Sequence, residues 1–172
     1  NGVLDRTLDI GTGVNPANTS IQHAAVGTGM TSTGVAGGFF NGKIDEVRIW
    51  NSVRTQVEID ANKNLEISIA PTELVARYAL NENTGTVISN SGSGTGGSAL
   101  AGTIVNTGAW VTGWIQGSSS AIDFDGVDDL ITMGAAPSLN TANFTLEAWI
   151  KIEGAGNTTS TGTGGIAAAI PI

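Results

Sequence analysis

The chain has 172 residues, 25 of them Gly and none Cys, and its 15 acidic against 7 basic side chains give a formal charge of −8. That charge repels phosphate backbones and anionic headgroups, which argues against nucleic acid and membrane surfaces as partners, and the lack of Cys excludes a disulfide scaffold and thiolate metal sites. No apolar run approaches the roughly 18 residues of a membrane span, and a mix rich in Gly, Ser, Thr and Val suits many short strands joined by tight turns.

The predicted elements follow one another at short intervals. Asn1-Gly2 is hairpin-turn chemistry, and residues 3–10 alternate as a strand. No incoming strand precedes that turn, and the apolar run over 166–172 ends without a polar cap, so the chain reads as a fragment of something longer. No basic region followed by an apolar one opens it, which places any export signal outside the chain. Further strands are expected over 20–26, 42–50, 74–80, 99–105, 120–124, 129–133 and 144–152. Strict alternation within 43–50 puts Ile44 and Glu46 on one face and Asp45, Val47 and Ile49 on the other, so Asp45 is expected on the apolar face, in need of a partner. One short helix is expected from the capping box Thr55-Gln56-Val57-Glu58, ending near Lys63. Residues 67–73 read as a linker, and the Gly- and Ser-rich stretch 91–98 as a hairpin loop.

Several motif matches carry no chemistry. Gly37 to Lys43 has P-loop spacing, but Ile44 stands where a hydroxyl must hold magnesium, and a strand rather than a helix follows. Gly92, Gly94 and Gly97 match a dinucleotide fingerprint without the βαβ unit that gives it meaning. A glycosidase of sandwich type needs paired carboxylates spaced along one strand; the nearest candidate, Glu58-Ile59-Asp60, lies on the capped helix. With one His, His23, and no Cys, nucleophilic triads lack parts, and the chain is read as non-enzymatic.

Three segments carry a resemblance: Gly42-Lys-Ile-Asp-Glu-Val-Arg-Ile-Trp50 running on through the capping box to Ile59, then Leu74-Val-Ala-Arg-Tyr-Ala-Leu80 to Gly85, and Ala121-Ile-Asp-Phe-Asp-Gly-Val-Asp-Asp-Leu130 with Phe144-Thr-Leu-Glu-Ala-Trp-Ile150. Together they resemble the laminin-G-like, concanavalin A-like jelly-roll family of large bacterial surface proteins. The first is similar to that family's closing strand and helix, the others to its opening strands. The resemblance implies an all-β, antiparallel β-sandwich with one short helix, either circularly permuted or made of two half-modules. Residues 1–66 would be the closing half of one module, 67–73 a linker, and 74–172 the opening half of the next. It also implies an extracellular or cell-surface setting, with neighbouring repeats of the same parent chain as partners. The loop over 91–98 departs from the family in carrying Gly and Ser where relatives carry Asn and Asp.

Four carboxylates fall within residues 123–129, and Asp125-Gly126 offers the oxygen-rich turn that calcium favours, although the spacing is not that of an EF-hand. By the resemblance, a structural calcium ion would sit between an early turn and an Asp of the closing strand, with Asp45, Asp125 and Asp123 as ligands. The alternative is that Asp45 is satisfied by backbone donors or a nearby Arg. Trp50 and Trp149 read as core residues. Trp110 and Trp114 lie in a Gly-rich connection, where they either pack or stack on sugar rings. The expected function is a non-catalytic carbohydrate-binding or adhesion module of a large secreted or cell-surface repeat protein, taking a glycan or a matrix ligand. The alternatives are a structural spacer repeat or an accessory domain of a glycoside hydrolase.

Overall fold

Residues of β-branched and aromatic type, alternating at period two and cut by Gly, Asn and Ser, build a mostly β chain. The computed structural model describes residues 21–93, 100–160 and 170–172, and the strand expected over 3–10 lies outside them. In chain order the elements are β1 (His23–Val26), β2 (Thr28–Met30), β3 (Ala36–Phe39), β4 (Asn41–Trp50), α1 (Gln56–Asn62), β5 (Leu74–Tyr78), β6 (Val87–Ile88), β7 (Gly102–Val105), β8 (Ala109–Val111), β9 (Ala121–Asp125), β10 (Leu130–Ala135) and β11 (Thr145–Ile152). A turn of 3-10 helix, Pro137–Leu139, precedes β11. The expected strands within these residues are present; β2, β3, β6 and β8, none longer than four residues, were not expected. Such short, Gly-rich pieces have no periodicity of their own and exist through their partners.

All strand pairs are antiparallel. One sheet runs β1-β10-β7-β6, and a second runs β11-β4-β9-β8 with β5 also on β4. β4 organises the second sheet. One of its edges takes β11, and the other is shared, β9 pairing with Asn41 to Ile44 and β5 with Val47 to Trp50. Strands from both sides of the 67–73 connection therefore lie side by side in both sheets. One hydrophobic cluster draws on both, with Val26, Ile88, Ile104 and Ile131 from the four-stranded sheet and Ile44, Tyr78, Ile122 and Phe124 from the other.

The change of partner on β4 coincides with a bulge. Glu46 has φ +49, and the β11 register slips so that Trp149 opposes Asp45 while Glu147 opposes Arg48. The extra residue inverts the alternation predicted for 43–50. Ile44, Val47 and Ile49 all reach the shared core, while Asp45, Arg48 and Trp50 are buried on the opposite face, away from it. The expectation that Asp45 shares a face with Val47 and Ile49 is thus corrected: a period-two reading assumes an unbroken strand, and this one has a residue too many.

Two connections, β7 to β8 and β9 to β10, cross between the sheets beside each other. Asp129, 2 % exposed, ties them together: Oδ1 accepts from the Thr107 N–H (2.8 Å) and hydroxyl (3.3 Å), and Oδ2 from the Asp125 N–H (3.1 Å). Asn106, at φ +66, donates from Nδ2 to the Asp128 carbonyl (2.6 Å). The acidic segment thus has a structural occupation at a place where the chain changes layer.

Candidate functional site

The outward face of β4 is covered by α1, by the chain after it and by the loop around 112–120. The capping box forms as read: Thr55 accepts from the Glu58 N–H, and the Glu58 carboxylate accepts from the Thr55 N–H (2.8 Å). The bonds that the Thr55 N–H and hydroxyl donate to the Glu58 carboxylate hold it below its ordinary pKa. No residue of α1 is buried, so the helix is fixed mainly through its ends. At its C-terminal end Arg48 donates to the carbonyls of Asn62 (3.1 Å) and Leu65, and the indole N–H of Trp149 donates to the carbonyl of Lys63.

Beneath lies an ionic cluster. Glu46 is 1 % exposed and accepts from Arg77 through both carboxylate oxygens (2.5 and 2.8 Å) and from Arg48 Nε (3.0 Å). Arg77 also meets Glu66 (2.8 Å), and Arg48 meets Glu147 (3.4 Å). The bulge makes this arrangement, because it turns Glu46 toward guanidinium groups from its own strand and from β5. A carboxylate taken this far out of water requires such pairing.

Between α1 and β11 opens a cleft of about 440 Å³. Its walls include Glu46, Arg48, Ile59, Lys63, Glu147 and Trp149. Trp149 is half-buried, not a core residue as expected, and the bond from its indole N–H to Lys63 fixes the ring at the cleft. The cleft thus sets a fixed indole beside the Glu147 carboxylate, while the donors of Arg48 are spent on Glu46, Glu147 and the Asn62 and Leu65 carbonyls.

The residues singled out from the sequence do not meet in this cleft. Trp110 is half-buried against the core and donates to the Gly85 carbonyl (3.0 Å). Trp114 is 41 % exposed, but lines none of the described cavities, and its backbone N–H is engaged by Asp45. Trp50 is buried on the face away from the shared core, with the Arg54 guanidinium 4.0 Å from its ring centroid.

The three proposed calcium ligands are separated. Asp123 faces Lys43 (3.7 Å), and Asp125 pairs with Asn41 at the far end of β9. Asp45 lies beyond Ile44, which opposes Ile122, so about four residues of strand, roughly 13 Å at 3.3 Å per residue, divide it from the level of Asp125. Both Asp45 oxygens already accept protein donors: the Trp114 N–H at Oδ2 (3.1 Å), and the Ser118 hydroxyl 2.9 Å from Oδ2 and 3.1 Å from Oδ1. Backbone and hydroxyl donors aimed at a carboxylate occupy the positions a cation needs, so this donor set does not fit calcium at Asp45. The closest acidic grouping among the described residues is instead Asp125, Asp128 and Asp129, with ligand atoms within 4.8 Å of one another. Its inner member, Asp129, is the clamp between the crossing connections, and Asp125 Oδ1 accepts the Val127 N–H (2.7 Å).

Two signals could have pointed to the cleft. Arg48 and Arg77 each interrupt an apolar strand, and a guanidinium inside a core-like run demands a buried acid. The approach of Trp149 and Glu147 to α1 had no local signal, since it depends on β11 pairing with β4 across about a hundred residues of chain. Compared with protein-family models, with curated proteins and with solved structures, the chain finds no match in any of the three.

Proposed function

We propose that this chain is a non-catalytic, glycan-binding or adhesion module of a large secreted or cell-surface repeat protein, folded as a permuted antiparallel sandwich of jelly-roll type. The sandwich reading is supported by two antiparallel sheets contributing to one hydrophobic cluster, with strands from either side of residues 67–73 in each. The single observation that carries the binding reading is the cleft in which Trp149 lies beside Glu147 and Arg48. The non-catalytic reading is favoured by the state of its carboxylates: both oxygens of Glu46 already accept from guanidinium groups, which leaves no pair of available acids at glycosidase spacing in the cleft.

The test is a titration with a panel of neutral oligosaccharides, followed by intrinsic Trp fluorescence and by calorimetry. One class of glycan is expected to give a saturable signal, and Trp149→Ala to weaken it about tenfold or more, as truncation of an aromatic anchor does. Trp114→Ala should leave the affinity unchanged. Binding that survives Trp149→Ala in a protein with an unchanged melting midpoint overturns the site, and a complete absence of glycan binding overturns the function in favour of a structural spacer.

A further inference from the structure

β11 is eight residues long and terminal in its sheet, and among the described residues its second edge has no backbone partner. The bulge in its pairing belongs to β4: Ala148 alone separates Glu147 from Trp149, whereas two residues, Glu46 and Val47, separate their partners Arg48 and Asp45. β11 is therefore a regular strand, and it contains no Pro. Leu146 and Ile150 oppose the core residues Ile49 and Ile44, so the row on the core side of the sheet is Leu146, Ala148, Ile150 and Ile152, all apolar. Leu146 is nevertheless 65 % exposed and Ile152 73 %. Native edges are commonly blunted by a bulge, a Pro or a charge on the inner row, and this edge has none of these.

We propose that this edge is the interface of a homodimer, in which β11 pairs antiparallel with β11 of a second copy about a two-fold axis at Trp149. The strand itself selects the occupant, because its residues are matched in kind about Trp149: Ala148 with Ile150, Glu147 with Lys151, Leu146 with Ile152. Pairing centred there sets Glu147 opposite the partner's Lys151 and Lys151 opposite the partner's Glu147, while apolar residues meet along the core-side row. Centring the pair on Ala148 leaves both charges opposite uncharged residues, and centring it on Ile150 sets Glu147 against the partner's Glu153. Both charges have capacity for a second partner. The Lys151 side chain is 59 % exposed and shares Glu153 with Lys43, and Glu147 meets Arg48 only at 3.4 Å. A two-fold axis perpendicular to the sheet also keeps like faces together, so the two core-side rows join into one apolar face. Isologous pairing occupies the edge of both copies, and association stops at two. The inference does not rest on the glycan reading, since its readout is the mass of the particle without sugar.

Sedimentation velocity on the full chain, from about 1 µM to about 0.1 mM, a range that populates complexes of micromolar affinity, is expected to show a reversible shift from 17.4 kDa to twice that mass. Leu146→Lys places a charge in the apolar row at an exposed position, and should abolish the shift with little change in the melting midpoint of dilute protein. Lys151→Glu and Glu147→Lys should each weaken association about tenfold or more by opposing like charges. An equimolar mixture of those two variants should restore it, because every cross-strand charge pair is then of opposite sign. Cross-linking gives a second measurement that leaves these charges in place, should Glu147→Lys not fold beside Arg48. The chain has no Cys, so on mild oxidation a copy carrying Leu146→Cys should link to a copy carrying Ile152→Cys faster than either variant links to itself. A monomer over the whole concentration range overturns the proposal. So does association that Leu146→Lys leaves intact, a series of masses growing beyond two chains, or cross-links that join Leu146→Cys copies to each other in preference to Ile152→Cys.

Discussion

Asp45 lies beneath the 112–120 loop, and its titration should report that position. Burial pushes its carboxyl above the ordinary value of 3.8, with the Trp114 N–H and the Ser118 hydroxyl pulling only part of the way back. A carboxyl whose folded pKa exceeds its unfolded one takes up a proton on folding. Its contribution to stability is therefore best below 3.8 and declines as pH rises through the folded value. Asp45→Asn removes that dependence while its amide oxygen can still accept from Trp114. At neutral pH the variant is expected to match or exceed the parent in stability, with the parent gaining on it as pH falls toward 4; urea unfolding at several pH values measures this. Asp45→Ala leaves the same donors unmatched and should cost about 1–3 kcal/mol. Asp129→Ala, which strips acceptors from two backbone N–H groups, should cost about 2–3 kcal/mol in the same assay. At this scale the sequence showed that Asp45 needed a partner, and it could not show which, because Trp114 and Ser118 come from about seventy residues away.

The helix α1 and the strand β4 differ in how much of their structure is local. α1 starts at a capping box made of four consecutive residues and was placed from them; Thr55→Ala should cost about 1 kcal/mol, read from denaturant midpoints. β4 was placed as a strand, but its faces were not, because the Glu46 bulge answers to what flanks it. β9 supports the strand before the bulge, β5 supports it after, and Arg48 and Arg77 hold the displaced carboxylate. Glycine at 42 is also dictated by the neighbour. A Cβ there would lie 2.1 Å from the Lys151 carbonyl oxygen, at a φ of +145 that L side chains avoid. Gly42→Ala is expected to separate β11 from β4 and to destabilise the chain by more than about 3 kcal/mol, visible as a lost or much lowered thermal transition.

Across the whole molecule, the core belongs to neither half of the sequence alone. The described residues before 67 supply Val26, Phe40 and Ile44, and those after 73 supply the rest of its buried members. Unfolding is therefore expected as one cooperative transition, with far-UV dichroism and Trp fluorescence giving coincident midpoints; two separated transitions would contradict a shared core. Since the oxygens of Asp45 and Asp129 are engaged by protein donors, the midpoint is expected to be the same in calcium and in chelator, in the same melt.

What the sequence determined by itself is the strand-rich class, the position of the long strands and the one capped helix. Each follows from spacings of two to four residues, within which apolar alternation and capping chemistry are complete. Only the tertiary structure decided which face of β4 Asp45 occupies, how the acidic segment is used, and that Trp149 rather than Trp110 or Trp114 stands in a cleft. Those outcomes depend on register between strands far apart in the chain, and a single extra residue in one strand inverts every side chain beyond it.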